Sequence, residues 1–243
     1  MHSRRLLTGL SAAAILLPLP ALAHPHIFVD AQATISFNDA GQVIGVHNQW
    51  TFDEAYSAWA VQGLDTNADG TLTREELQPL ADDNMQGLSG YEYYTFAGEG
   101  PDNLKFAFGS NPLMDYSGGR QTLSFDVALE HPYLIQDHLE LAINDPEYYV
   151  AISFANAASV KLVNAPANCT VSLTDPTPMS DELSQQLSDL GPDVVKLPPD
   201  LEQQMRGVQG AILVACPGGS ATGKPIPAES AVGSTPTTAL DAA

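Results

Sequence analysis

The sequence predicts an α+β domain, mostly antiparallel β-sheet, with a helical EF-hand-like insert over about residues 52–90. Three observations predict it. Extended stretches with period-two alternation recur along the chain and are separated by turn residues. Between Phe52 and Leu88 the apolar period becomes helical. The chain has 243 residues, 44% of them hydrophobic and only 16% charged, enough for one good core or two small ones.

The elements follow in order. Residues 26–37 alternate and are rich in Ile, Val and Phe, and Asn38-Asp39-Ala40-Gly41 is a turn signal. Residues 42–51 resume the strand pattern, so the two runs predict a β-hairpin. Over 52–64, Phe52, Ala55, Tyr56, Trp59 and Ala60 fall on one helical face. A second helix is expected over 73–88, where Thr73 and Glu76 are spaced as a capping box. Residues 91–97, 104–108, 122–129, 138–143 and 148–154 read as strands. Gly98-Glu99-Gly100-Pro101, Ser117-Gly118-Gly119 and Asn144-Asp145-Pro146 punctuate them. Shorter strands are expected over 160–163 and 170–173, helices over 180–190 and 199–206, and a last strand over 208–216. Residues 217–243 are Pro, Gly, Ser, Thr and Ala with almost no large apolar side chain, which predicts a disordered tail. The folded unit is therefore a single domain over 24–216.

Residues 1–23 carry Arg4 and Arg5, a short apolar run broken by Pro18, and Ala21-Leu22-Ala23 as an A-x-A cleavage site. This pattern predicts a secretory signal peptide and a periplasmic mature protein. The run is shorter than the ~20 residues a bilayer span needs, so no membrane span is expected in the mature chain. The net charge of −20, with 9 basic against 29 acidic residues, excludes nucleic acid and anionic lipid as partners and favours cations. In an oxidising compartment the two cysteines, Cys169 and Cys216, are most simply a disulfide worth about 3–4 kcal/mol; two buried thiols are the alternative. Neither lies in a CxxC, and no G-x-S-x-G or H-E-x-x-H is present, so the chain is not expected to be an enzyme of those kinds.

The segment Asp65-Thr66-Asn67-Ala68-Asp69-Gly70-Thr71-Leu72-Thr73-Arg74-Glu75-Glu76 matches the twelve-residue EF-hand loop at its diagnostic positions. Asp65, Asn67 and Asp69 supply oxygens, Gly70 the sharp turn, Thr71 a carbonyl, Thr73 a direct or water-mediated ligand, and Glu76 the closing carboxylate. Hard oxygen donors without sulfur or imidazole suit Ca²⁺. Only one such loop is found, where regulatory sensors usually pair them, so a structural calcium is expected; a loop of this shape without the ion is the alternative.

Cleavage after Ala23 would place His24-Pro25-His26 at the new N-terminus. His24 would then offer its α-amine and ring to one metal, and His26 a second imidazole. Three nitrogens suit Cu, Ni, Zn or Co. Pro25 has no N–H, which leaves the planar amide-bound Cu(II) or Ni(II) site incomplete and favours a brace completed by distant side chains. His47, on the paired strand of the hairpin, is a candidate third ligand. His131 and His138 are others, with Asp137 or Asp53 as carboxylate support. Each of these later histidines also has an ordinary structural reading.

The order of His24-Pro25-His26-Ile27-Phe28-Val29, Trp50-Thr51-Phe52-Asp53 and the Asp65–Gly70 run resembles the periplasmic proteins of domain-of-unknown-function family 1007, over about residues 24–216. The resemblance implies the periplasmic component of an ABC-type transport system, linked to nickel/cobalt permeases, and hence transition-metal handling outside the inner membrane. A two-lobed binding protein would be larger and show repeated βαβ patterns, which are absent. The leading expectation is a metal-binding accessory protein that captures Ni²⁺, Co²⁺, Zn²⁺ or Cu²⁺ for an inner-membrane permease. The alternatives are a calcium-stabilised adaptor without a transition-metal role and, less favoured, a histidine-brace copper enzyme, for which the sequence offers no clear aromatic platform.

Overall fold

The computed structural model describes residues 25–100, 102–190, 197–205, 208 and 210–217. The expected leader, His24 and the tail from residue 218 lie outside the described residues.

The alternation at the N-terminus forms β1 (Ile27–Phe37) and β2 (Val43–Phe52), an antiparallel pair in which Val29 faces Phe52 and Ala31 faces Trp50. Asn38 sets the turn: its side-chain oxygen accepts from the N–H groups of Ala40 and Gln42. Short α1 (Glu54–Ala60) and longer α2 (Arg74–Ser89) follow. Next come a 3₁₀ turn (Glu92–Tyr94), β3 (Thr95–Glu99) and β4 (Asp102–Leu104). The remaining strands are β5 (Ser110–Ser117), β6 (Arg120–Tyr133), β7 (His138–Ile143), β8 (Val150–Ser153), β9 (Val160–Val163) and β10 (Thr170–Leu173). Helices α3 (Asp181–Asp189) and α4 (Pro199–Met205) precede β11 (Ile212–Ala215).

The strands make two largely antiparallel sheets with the helices segregated from them, which is the expected α+β class. The first runs β5-β6-β2-β1, and β8 and β9 pair in parallel with successive stretches of the outer edge of β1. The second runs β10-β11-β7-β3-β4 and is antiparallel throughout. One apolar core joins both sheets and α2, with Ile35, Trp50, Leu123 and Phe125 from the first, Leu139, Leu141 and Val214 from the second, and Leu77 and Ala81 from the helix. Trp50 meets Phe125 edge to face at 4.9 Å, a favoured aromatic geometry. The opposite face of the first sheet is polar, with His47, Gln49 and Thr51 alternating against the buried Val46, Asn48 and Trp50. Helices α3 and α4 leave the second sheet between β10 and β11 and carry a separate small core of Leu183, Leu187, Leu197, Leu201 and Met205. Cys169 and Cys216 form the disulfide, beside the ends of β10 and β11.

Five expectations change. The strand expected over 104–108 does not form: β4 ends at Leu104, and beyond it Phe106 makes only an isolated bridge to Leu129. The helix after Phe52 stops at Ala60, and its one buried residue is Ser57 rather than the aromatic stripe; Trp59 is 67% exposed. The Ser57 hydroxyl accepts from the Gln121 N–H of β6 at 3.0 Å, and such a close approach of helix to sheet needs a small side chain. Residues 91–94 are not strand. Glu92, Tyr93 and Tyr94 have φ of 53°, 54° and 50°, a left-handed run that costs about 1–2 kcal/mol per residue. It is held by Asn144 N–H on the Tyr94 carbonyl and the Thr95 hydroxyl on the Tyr93 carbonyl. Strand β5 was not expected, because Pro112 and Asp115 mask it; it sits at a sheet edge, where proline is tolerated. Strand β6 continues to Tyr133, well beyond the expected end at residue 129.

No helix among the described residues is long and apolar enough to cross a membrane.

Candidate functional site

The acidic loop takes its shape from local hydrogen bonds. Asp65 accepts from the Asp69 and Gly70 N–H groups at 3.2 and 2.9 Å, Asn67 from the Asp69 N–H at 2.8 Å, and Asp69 from the Thr71 N–H at 2.8 Å. Gly70 has φ of 82°, the left-handed turn its position demands. Thr73 caps α2, and the expected capping box with Glu76 forms in both directions. Each Glu76 oxygen serves one threonine: Oε1 accepts from the Thr66 N–H and hydroxyl, Oε2 from those of Thr73. The Thr73 backbone N–H and the Thr66 hydroxyl hold the Glu76 pKa down at about 2. Arg74 ties the loop's exit to β5 through a two-pronged ion pair with Asp115.

The histidines are dispersed. His26 is exposed just ahead of β1; its ring lies 4.8 Å from that of Tyr149, and its N–H donates to the Tyr149 carbonyl at 2.9 Å. His47 faces Thr34 across the hairpin, eight residues along β1 from His26, a strand distance of about 26 Å. The structure therefore does not bring His47 to His26. Instead His47 pairs through Nδ1 with Asp126 at 2.7 Å, and Asn111 donates to the other Asp126 oxygen. His138 pairs with Asp137 at 2.9 Å, and His131 is exposed near the end of β6. Asp53 does lie at the His26 end, where it caps α1 and accepts the Phe28 N–H at 3.0 Å. Its partial burial works to raise the carboxyl pKa, but the Phe28 and Tyr56 N–H groups outweigh this and hold it below its ordinary value. Among the described residues no three His, Cys, Asp or Glu side chains are grouped as a metal site.

An aromatic pocket at this same pole was not legible in the sequence. It has a volume of about 360 Å³ and is lined by Trp50, Phe52, Tyr56, Tyr91 and Tyr94, with Asp83 and Asn84 from α2. Ile27, next to His26, forms part of the wall. The rings come from five points over more than forty positions, so no local pattern could announce them. Trp50 and Tyr94 stack at 6.2 Å, and Tyr91 lies 5.7 Å from Tyr94. The left-handed run at Glu92–Tyr94 sets the latter two. Burial, with the carboxylates of Asp145 and Glu147, pushes the Tyr94 phenol well above its ordinary pKa. Asp145 is fully buried and accepts the N–H groups of Glu147, Tyr149 and Val150, which fixes the segment entering β8 against this pole. Burial raises its own pKa.

The geometry defines a two-sheet, disulfide-closed α+β domain with an acidic loop and an aromatic pocket. The chain belongs to the family described as Protein of unknown function (DUF1007), which matches residues 9–216. The expected resemblance is thus met; the match starts upstream of residue 24 and ends at the expected residue 216. A relative from Haemophilus influenzae, described as an uncharacterized protein, is 30% identical over 159 residues, 64% of this chain and 74% of that one.

Proposed function

We propose that this is an exported metal-binding accessory protein whose working part is the N-terminal end of β1. There His24, exposed by leader cleavage, and His26 grip a divalent transition metal, Ni²⁺, Co²⁺, Zn²⁺ or Cu²⁺, for an inner-membrane permease. The observation that carries this reading is the placement of His26. It stands at the open end of the first sheet, ring against Tyr149 and backbone tied to Tyr149, with the chain ahead of it leading to the predicted amine. The disulfide suits an oxidising compartment. Asp53 is the nearby carboxylate able to orient this end, and His47, opposite Thr34, stands too far along β1 to serve as a third ligand. The protein works by binding, not by catalysis.

The acidic loop fits a supporting Ca²⁺ site. Its donors are all oxygen, from Asp65, Asn67, Asp69, Thr71, Thr73 and Glu76, and the Asp65 and Asn67 side chains accept N–H groups of the loop itself, which supports the turn such a site needs. Calcium there would brace the start of α2. This also supports the second reading, a calcium-stabilised adaptor.

The test begins with N-terminal sequencing of exported protein and elemental analysis of the same sample. Calorimetry with Ni²⁺, Co²⁺, Zn²⁺ and Cu²⁺ should then give tight binding that the double change His24→Ala, His26→Ala abolishes. Unchanged affinity in that variant rules the reading out. Melting with calcium against chelator, in wild type and Glu76→Gln, decides whether the loop binds.

A further inference from the structure

We propose that the aromatic pocket at the His26 pole is a binding site for a small organic cation, a quaternary or protonated ammonium with a short apolar body. The lining supplies what such a cation requires. Five aromatic residues, Trp50, Phe52, Tyr56, Tyr91 and Tyr94, contribute to the lining of a space of about 360 Å³, within the size range of small-ligand sites. Ring faces attract a cation through their quadrupole, and Trp and Tyr do so best. No lysine or arginine lines the pocket, whereas the Asp83 carboxylate does. More negative charge stands behind the rings: Tyr94 is hydrogen-bonded to the buried Asp145, and Asp53 caps the helix that carries Tyr56. An anion would be repelled by Asp83 and find no cationic partner in the lining, and a neutral apolar ligand would gain nothing from Asp83.

A second observation sets this pocket apart from a packing defect. Tyr91 immediately precedes, and Tyr94 ends, the run of left-handed backbone at Glu92, Tyr93 and Tyr94. Three consecutive non-glycine residues in that region are strained, and strain of this kind concentrates at ligand sites. The structure holds it firmly. The Thr95 hydroxyl, which donates to the Tyr93 carbonyl, itself accepts from the buried Asn48 of β2 at 3.2 Å. The outcome is a Tyr91 ring left 43% exposed at the rim while Trp50, 2% exposed, lies beneath. This site is separate from the transition-metal reading, since it uses none of the histidines.

The test uses the purified full chain and choline as the probe, with 3,3-dimethylbutan-1-ol as its uncharged isostere. Binding is followed by calorimetry and by tryptophan fluorescence. Choline should bind and the alcohol should bind at least about five-fold more weakly, as a cation–ring attraction implies. Tyr91→Ala and Asp83→Asn, both at exposed positions, should each weaken choline several-fold while leaving the melting temperature near that of wild type. Asp83→Asn should leave the alcohol's affinity unchanged. Equal binding of choline and the alcohol overturns the proposal, as does no choline binding up to about 10 mM. Choline affinity that survives both substitutions overturns it too.

Discussion

In the acidic loop over 65–76 the oxygen donors are neighbours in sequence, whereas the histidines become neighbours only if the strands pair in the right register. The two regions behave accordingly. The turns over 65–70 are closed by side chains two to five residues from their partners, Glu76 reaches back only ten residues to Thr66, and the helix cap that ends the loop forms as its spacing demands. His47 shares a hairpin with the strand that follows His26, yet the observed register of that hairpin sets it opposite Thr34. Short-range chemistry can be read from spacing. Long-range chemistry depends on pairing that the alternation of a strand leaves open by steps of two.

That contrast predicts that long-range ties dominate stability. The largest effect should come from Cys169→Ser with Cys216→Ser. A disulfide closing a separation of 47 residues is worth about 4 kcal/mol on the chain-entropy model, read as a shift in the denaturant midpoint under non-reducing conditions. Gly45→Ala comes next. A Cβ there would lie 2.7 Å from the Val127 carbonyl oxygen of β6, so backbone must move, at about 1–3 kcal/mol. A loss under half a kcal/mol in thermal melts would mean β2 and β6 are less tightly paired than described.

Glu99 ties β3 to the turn before β7 by accepting the Gln136, Asp137 and His138 N–H groups. Partial burial works to raise its pKa, but these N–H groups prevail and hold it below 4.5. A depressed carboxyl stabilises the fold above its ordinary pKa, and that contribution is lost as pH falls through the lower folded value. Glu99→Gln should therefore cost about 1 kcal/mol at neutral pH and flatten the acid limb of the stability profile below pH 4.5. Identical acid limbs in the two proteins would remove Glu99 from the account. For the local region, Thr73→Ala deletes the α2 cap and should cost about 1 kcal/mol in urea melts without calcium. The smallest effect belongs to His47→Ala. Its exposed pair with Asp126 is worth less than about 1 kcal/mol, and transition-metal titration should match wild type. Weakened metal binding in that variant would show that the histidines meet in a way the hairpin register forbids.

Much of the fold was legible. The hairpin, the capping box, β7, β9 and β10 follow from alternation and cap spacing, and the cysteine pair forms as two cysteines without a third partner suggest. The rest failed for identifiable reasons. Strand β5 contains Pro112 and stands at an edge, where the usual strand composition is relaxed. The stripe through Tyr56 and Trp59 has helical spacing, but α1 sits at the end of the sheet and buries only Ser57. The left-handed turn at Glu92–Tyr94 has no glycine to announce it. Of the candidate site, the loop was visible as a motif, while the aromatic pocket needed the register of β1 and β2 and the turn before β3 together.

The two short parallel strands on the edge of β1 have a kinetic corollary. Strand β1 precedes both of these partners in the chain and finds its final neighbours only when residues 150–163 have also been made. Until then its outer edge stays open, and contacts of such long sequence separation form slowly.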